Sequence, residues 1–206
     1  MNIFDSYSKE YDVWYDRNKF TYFSELEVLK KVLPRFGKGL EIGVGTGRFA
    51  HPLGITLGID PSVEMLKIAF QRGVNVRWGF GEDLPFWDET FDYTVIIISL
   101  CFVKNPLKVL QESYRILKKN SKLIIGIVDR ESFLGRFYQQ KKSIFYKNAN
   151  FFRVKELTEL LSDLDFKRIS YYQTLFDLPE KVNSVQKPRK GFGDGGFVVI
   201  SGEKIR

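Results

Sequence analysis

Three glycines on alternate positions, Gly43, Gly45 and Gly47, follow a short apolar run that carries an acid, Glu41. Because glycine tolerates positive φ and has no side chain, such a turn can bring its backbone N–H groups against a ligand. These N–H groups, and the dipole of a helix that follows them, attract polar or anionic groups. The segment is therefore typical of a nucleotide-binding loop after a first strand, and it predicts a short helix over residues 48–53.

The spacing of these glycines separates two classes of cofactor. A dinucleotide site has the pattern G-x-G-x-x-G, in which the third glycine packs the helix against the strand beside a pyrophosphate. Here the pattern is acid-x-G-x-G-x-G. A carboxylate at Glu41, two residues before the first glycine, suits a ligand that bears a cationic amine and disfavours a nicotinamide dinucleotide. From this loop alone, a structural turn or another nucleotide site stays open.

Strand and helix signals alternate along the chain, which predicts an α/β fold with a mostly parallel sheet and helices on both faces. We expect seven strands, the last of them antiparallel, at 39–42, 55–59, 74–78, 93–98, 122–128, 166–173 and 197–202. The predicted helices are 23–33, 61–72, 106–117 and 154–164. Two segments, 130–152 and 176–196, fit no regular element, and such insertions in a compact domain are often binding loops or lids.

Composition predicts one domain, 1–206, in which residues 1–36 form an N-terminal helical cap. The chain has 206 residues and 44% hydrophobic content, enough for one sizeable core. It lacks an apolar run of about 18 residues, so no membrane span is expected. The single cysteine and the absence of a signal-peptide pattern at the N-terminus predict a cytoplasmic protein.

The formal net charge of +7 raises the question of a nucleic-acid partner. The basic residues are spread along the chain and interleaved with 25 acidic ones, so a charged surface is the favoured interpretation. A composition rich in Lys and Glu, with few Cys, Met and His residues, is compatible with a thermophilic source.

In an open α/β sheet the ligand lies outside the carboxyl ends of the strands. In this sequence those ends are 41–47, 60, 80–84, 99–102 and 129–130. Asp60 ends the second predicted strand, where a carboxylate can accept both hydroxyls of a ribose; a helix cap is the alternative role.

Four runs in the sequence continue this pattern, at 40–49, 58–62, 81–92 and 111–118. In their order and spacing they resemble the class I S-adenosylmethionine-dependent methyltransferases, in particular the group similar to ubiquinone and menaquinone methyltransferases. The resemblance covers residues 38–128 and implies a Rossmann-like methyltransferase fold. It also implies S-adenosylmethionine as cofactor, S-adenosylhomocysteine as product, and no metal.

The resemblance further implies which residues bind the cofactor. Glu41 would support the methionine end, which Ser99 and Leu100 would underlie, and Asp60 would hold the ribose. The full implied set is Glu41, Gly43, Val44, Gly45, Thr46, Gly47, Asp60, Pro61, Ser62, Met65, Phe80, Gly81, Glu82, Asp83, Leu84, Ser99 and Leu100.

On the adenine side the chain departs from the family, because Phe80 stands where an Asp often accepts from the adenine amino group. Adenine would then be held by stacking and backbone contacts, or by Glu82 or Asp83.

Aromatic residues are the best indication of the methyl acceptor. Tyr7, Tyr11, Trp14 and Tyr15 share one face of a predicted N-terminal helix, where a core role is the alternative, and aromatic residues enrich the first insertion. Because aromatic faces attract cations, a lid of this kind suits an aromatic or cationic acceptor. The candidate acceptor residues are Tyr11, Trp14, Tyr15, Cys101, Phe102, Arg130, Phe133 and Tyr146.

No catalytic base is evident. Methyl transfer from a sulfonium depends chiefly on alignment and water exclusion, and a base matters only when the nucleophile arrives protonated. His51 is expected to face solvent or cap a helix, and Cys101 to be a buried core thiol.

The favoured function is S-adenosylmethionine-dependent methylation of a small molecule. An RNA or protein methyltransferase is the main alternative, and a non-catalytic cofactor-binding protein or an NAD-dependent oxidoreductase is less favoured.

Overall fold

One mixed sheet runs through the computed structural model, which describes residues 3–141 and 143–205. Residues 1–2, 142 and 206, which belong to the predicted domain, cap and insertion ranges, lie outside the described residues. The strands are β1 Gly39–Ile42, β2 Leu57–Asp60, β3 Asn75–Trp78, β4 Phe91–Ile97, β5 Leu117–Val128, β6 Phe166–Thr174, β7 Arg189–Lys190 and β8 Phe197–Lys204.

The order of strands is β3-β2-β1-β4-β5-β8-β6-β7. Strands β1 to β5 pair in parallel, whereas β8 runs antiparallel to both β5 and β6. The predicted fold class and its antiparallel last strand are confirmed. The described sheet has one strand more than the seven predicted, because β7 lies inside the second insertion and pairs with the edge of β6. Two residues are too few to show a strand period in the sequence.

Seven α-helices cover both faces of the sheet over the described residues: α1 Ile3–Ser6, α2 Ser8–Arg17, α3 Lys19–Val32, α4 Val63–Gln71, α5 Pro106–Ile116, α6 Phe133–Gln140 and α7 Val154–Asp163. Short 3₁₀ turns occupy Leu100–Phe102, Tyr146–Asn148 and Pro179–Lys181. Helix α6 lies in the first insertion, for which no regular element is predicted. Helices α1 to α3 lie in the predicted N-terminal cap. No described helix combines the length and the apolar character needed to cross a membrane.

The two faces of the sheet hold two separate hydrophobic clusters, because side chains alternate along each strand. On β4, Val95 points into the cluster that includes α3 and α4, whereas Ile96 points into the cluster that includes α5 and α7. Both side chains are at most 1% exposed. Burial on both faces is what a continuous β-branched run in a central parallel strand predicts.

The helix predicted over 48–53 is wrong: residues 48–54 form successive turns instead. His51 N donates to Gly47 O over 3.2 Å, and Leu53 N donates to Phe49 O over 3.2 Å. No regular helix develops because Pro52 lacks an N–H and disfavours a helical residue before it, and Gly54 turns the chain with φ +69°.

Helix α4 begins later than predicted. Ser62 is its N-cap, with an Oγ that accepts from Met65 N over 3.3 Å, so Pro61 precedes the helix and is not in its first turn. Helix α5 starts as expected: Asn105 accepts from Lys108 N over 3.0 Å and Pro106 follows at the first position.

Candidate active site

A cavity of about 730 Å³ opens at the carboxyl ends of β1, β2 and β4. It lies where the strand order reverses between β1 and β4, the position at which open α/β sheets bind ligands. The predicted cofactor residues that line it are Gly43, Gly45, Asp60, Pro61, Met65, Phe80, Gly81, Glu82, Asp83 and Ser99. Of the predicted acceptor residues, Tyr11 and Phe102 line it.

The remaining predicted cofactor residues lie behind this lining. All of them are buried, and they support the walls of the cavity: Glu41, Val44, Thr46, Gly47, Ser62, Leu84 and Leu100.

The glycine loop lies close against its neighbours. Gly43 N donates to Ile59 O over 2.8 Å, which fastens the loop to β2, and a Cβ on Gly43 would collide with the Ser99 side chain. At Gly47, φ is +74° and a Cβ would lie 3.2 Å from Ala69 of α4. The loop therefore needs glycine both for its backbone conformation and for its close packing.

Asp60 connects this loop to the cavity. Its Oδ2 accepts from Gly45 N over 2.9 Å, and its Oδ1 accepts from Ser62 N over 2.8 Å. Burial raises the pKa of Asp60 to about 6, although both backbone hydrogen bonds oppose that rise. Since each carboxylate oxygen can accept more than one hydrogen bond, the side chain can still bind hydroxyl groups in the cavity.

Glu41 lies beneath the loop and is 1% exposed. Burial, and then the charge of Asp60, raise its pKa well above the ordinary value, while a hydrogen bond from the Ala50 backbone lowers it. Its Oε2 has no hydrogen-bond partner among the residues described. A buried oxygen of this kind fits an additional donor, such as water or a ligand amine at the loop.

The end of β4 forms the cavity wall opposite Asp60. Ser99 Oγ donates to Ile42 O over 3.0 Å and so joins β4 to β1. Ile98 lines the cavity with φ +57°, a left-handed conformation that is costly for a β-branched residue. Backbone strain of this type is concentrated at functional sites. Ile98 is not predictable from the sequence, because a β-branched residue at a strand end carries no signal for a left-handed turn.

The three residues that are candidates for binding adenine, in the segment after β3, differ in what they contact. The Phe80 ring is 49% exposed and packs edge-on against Trp78, with centroids 5.5 Å apart. Glu82 Oε1 accepts from the backbone N–H groups of residues 104 and 105, at 3.0 and 3.2 Å. Asp83 lines the cavity and is exposed, and its backbone N–H donates to Phe80 O over 3.2 Å.

Aromatic rings border one side of the cavity: Phe4, Tyr11 and Phe102 line it, and we call these rings, together with Phe145 packed against them, the aromatic roof. Phe4 of α1 packs edge-on against Phe102, with centroids 5.0 Å apart, and stacks with Phe145 at 6.0 Å. Tyr11 of α2 meets Phe145 at 5.6 Å. The N-terminal helices and the first insertion thus meet above the site. Phe4 was missed in the sequence because a single Phe at the start of a chain is not distinctive.

A charged clamp, also missed, fastens α2 to the glycine loop. Arg48 pairs with Asp12 at 2.8 Å and with Asp16 at 2.7 Å, and Arg72 pairs with Asp12 at 3.0 Å. Arg72 also donates to Thr46 O. Burial opposes ionisation of Asp12, but the hydrogen bonds from both arginines hold its pKa at about 2.

Six predicted acceptor residues do not line the cavity. Trp14, Phe133, Tyr15 and Tyr146 belong to the hydrophobic cluster beside it. Arg130 is tied to Glu156 at 2.5 Å, and Cys101 donates to Ile98 O over 3.2 Å. Burial raises the pKa of the Cys101 thiol to about 12, which makes it a poor nucleophile. His51 is exposed and outside the cavity lining.

Comparison with known proteins identifies the family. A family model described as "Methyltransferase domain" matches residues 40–125. A crystal structure from Thermotoga maritima, described as a SAM-dependent methyltransferase and possible histamine N-methyltransferase, is 48% identical, covers 98% of each chain and has a TM-score of 0.95. This chain belongs to the class I S-adenosylmethionine-dependent methyltransferases.

Two further relatives span most of this chain. An uncharacterized protein of Methanocaldococcus jannaschii is 53% identical over the whole of both chains. A demethylmenaquinone methyltransferase of Oceanobacillus iheyensis is 24% identical to this chain. The match covers 83% of this chain and 74% of the Oceanobacillus protein. Among the described residues no group of three or more His, Cys, Asp or Glu is placed to hold a metal ion.

Proposed function

We propose that the cavity binds S-adenosylmethionine and that the enzyme methylates a small molecule held under the aromatic roof. In this proposal the methionine end lies over Gly43 and Ser99, the ribose hydroxyls donate to Asp60, and adenine lies near Phe80 and Asp83. The observation that carries the proposal is Asp60: one carboxylate holds the glycine loop at Gly45 and also faces the cavity.

For the adenine amino group we propose Asp83 as the acceptor. Glu82 Oε1 already accepts two backbone N–H groups at the start of α5, so using it would weaken that connection. Asp83 lines the same cavity and is exposed, so its carboxylate can accept from a ligand without giving up a connection of that kind. Phe80 contributes an aromatic face instead of the carboxylate that the family often has there.

Bound S-adenosylmethionine supplies an electrophilic methyl group on a sulfonium. The residues of the chain then have to align the acceptor in line with that group and keep water out. Phe4, Tyr11 and Phe102 provide apolar cavity surface for both purposes, and Phe145 packs behind Phe4 and Tyr11. An aromatic or amine acceptor suits such a roof, because ring faces bind other rings and cations. Histamine, which appears in the description of the Thermotoga relative, is one such amine.

Calorimetry with S-adenosylhomocysteine tests the cofactor site. We expect Asp60→Ala to weaken binding about 100-fold, equivalent to about 3 kcal/mol, since hydrogen bonds to a charged group are each worth about 1.5–3 kcal/mol. Gly45→Val should also abolish tight binding, because φ is +51° there. His51→Ala, an exposed change outside the cavity lining, is the matched control. Unchanged affinity in both site variants would reject the assignment.

A screen that detects S-adenosylhomocysteine then tests the acceptor class, with amines, phenols, RNA and protein extracts in parallel. We expect turnover with a small amine or aromatic compound. Turnover on RNA alone, with a steep dependence of binding on salt, would instead support the alternative of an RNA methyltransferase.

A further inference from the structure

Helix α1 joins two parts of the cavity wall. On one side, Asp5 Oδ1 accepts from Ser62 Oγ over 2.6 Å, and the Glu64 N–H lies 3.5 Å from the same oxygen. On the other side, Phe4 packs edge-on against Phe102 with centroids 5.0 Å apart, and both rings line the cavity. None of the four residues of α1 is buried. The helix is therefore held at the cavity by contacts of this kind and not by burial in the hydrophobic core.

Ser62, the partner of Asp5, also contacts the carboxylate proposed to hold the ribose. Its side chain is buried, its backbone N–H donates to Asp60 Oδ1 over 2.8 Å, and its Oγ accepts from Met65 N over 3.3 Å. A hydroxyl group has one proton and two lone pairs, so donation to Asp5 leaves the oxygen free to cap α4. One serine thus connects α1, α4 and Asp60.

The hydrogen bond between Asp5 and Ser62 is suited to hold α1 firmly. A hydroxyl group that donates to a carboxylate makes a charge-assisted hydrogen bond, which is about twice as strong as a bond between neutral groups. Asp5 itself does not line the cavity, whereas its neighbour Phe4 does. The role of Asp5 is therefore to fix its neighbours and not to contact a ligand.

We infer that Asp5 is a positioning residue for the cofactor site, which acts through Ser62. By accepting from Ser62 Oγ it holds α1 between the end of β2 and the end of β4, and so keeps Phe4 in the cavity wall. Release of a ligand past α1 then has to break this hydrogen bond, so Asp5 slows the dissociation of S-adenosylhomocysteine. The inference rests on the proposed function, because it takes S-adenosylhomocysteine as the ligand of this cavity.

The test is the dissociation rate of radiolabelled S-adenosylhomocysteine from the full chain, chased with an excess of the unlabelled compound. Asp5→Ala should raise this rate about tenfold, because one hydrogen bond to a charged group is worth at least that factor. Asp5→Asn should recover most of the loss, since its amide oxygen can still accept from Ser62 Oγ. In a Ser62→Ala background, Asp5→Ala should have little further effect, because its partner is already absent.

The pH profile of binding separates positioning from a structural role of Asp5. Burial is the main cause of the raised pKa of Asp60, and the charge of Asp5 adds to it. Calorimetry from pH 5 to pH 8 should therefore show the midpoint of S-adenosylhomocysteine binding at a lower pH in Asp5→Asn than in wild type. The charge of Asp60 also interacts with Glu41 on β1 and Tyr11 on α2, which this variant leaves in place.

Glu10→Gln is the matched control, because Glu10 is an exposed acid on the adjacent helix α2. It should change neither the dissociation rate nor the midpoint. An unchanged dissociation rate in Asp5→Ala would overturn the inference, even if the melting temperature fell. So would equally fast dissociation from Asp5→Ala and Asp5→Asn, or an unchanged midpoint in Asp5→Asn. Failure of wild type to bind S-adenosylhomocysteine would instead reject the proposed function, so the two failures are distinguishable.

Discussion

The ionisation of Asp60 should make cofactor binding depend on pH in a narrow window. Ribose hydroxyls donate hydrogen bonds, so the ionised carboxylate is the form that binds them well. Burial raises the pKa of Asp60 to about 6, which leaves about one-tenth of it ionised at pH 5 and about nine-tenths at pH 7. Because the apparent dissociation constant scales inversely with the competent fraction, the Kd for S-adenosylhomocysteine should fall about tenfold between these pH values, or about 1.4 kcal/mol.

The assay is isothermal calorimetry of wild type and Asp60→Asn at half-unit intervals from pH 5 to pH 8. Asp60→Asn should bind more weakly at pH 7 and show a flat profile, because its amide does not titrate. A flat profile in wild type would refute the reasoning. A slope that persists in Asp60→Asn would assign the titration to another group, with Glu41 the first candidate because burial raises its pKa as well.

The raised pKa of Asp60 also makes the stability of the ligand-free protein depend on pH, in the direction opposite to cofactor binding. The folded-state pKa of Asp60 lies above the ordinary value of 3.8, so its favourable contribution is fully present below pH 3.8 and is lost as the pH rises through about 6. Two pKa units correspond to about 3 kcal/mol at most. In urea unfolding, the stability of Asp60→Asn relative to wild type should therefore increase as the pH is raised from 4 to 7. The variant loses one of the two backbone hydrogen bonds that the carboxylate accepts, which lowers its stability by a constant amount. A constant difference across that range would contradict the shift.

Three further perturbations test the surroundings of the site. Arg48→Ala removes the ion pairs that fasten α2 to the glycine loop, so it should lower the free energy of unfolding, measured in urea, by about 2 kcal/mol. Arg48→Lys should recover part of that loss. An unchanged free energy of unfolding in Arg48→Ala would mean that the clamp is not stabilising. Gly47→Ala should lower the melting temperature more than Gly54→Ala does, because φ is positive at both positions but only a Cβ at Gly47 would meet neighbouring atoms. Equal decreases in melting temperature would show that backbone strain, and not the close packing at Gly47, accounts for the loss of stability. Phe145→Ala should leave the Kd for S-adenosylhomocysteine within about twofold and lower kcat/KM for the acceptor about tenfold. The control is Trp87→Ala, a change at an exposed residue. An unchanged kcat/KM would refute a role of the aromatic roof in methyl transfer.

The elements near the candidate site could be predicted where the signal is local. The strand predicted at 39–42 agrees with β1, and the start of α5 at Pro106 agrees with the prediction from proline at the first helical position. The prediction over 48–53 is wrong because a glycine loop of this type is usually followed by a helix, whereas here Pro52 and Gly54 stop one. The strand β7 escaped prediction because its two residues pair only through the edge of β6.

The sequence by itself determined the family and the parts of the candidate site that lie within short segments. The positive φ angles of the loop require glycine at 43, 45 and 47. The acid at 60 is recognised because it ends a strand. Both signals depend on neighbours in the chain. Only the tertiary structure brought Phe4 to Phe145, engaged Glu82 at the start of α5, and buried Glu25. Those relations depend on how distant segments pack, and desolvation and ring contacts arise only after packing. No local pattern in the sequence encodes them.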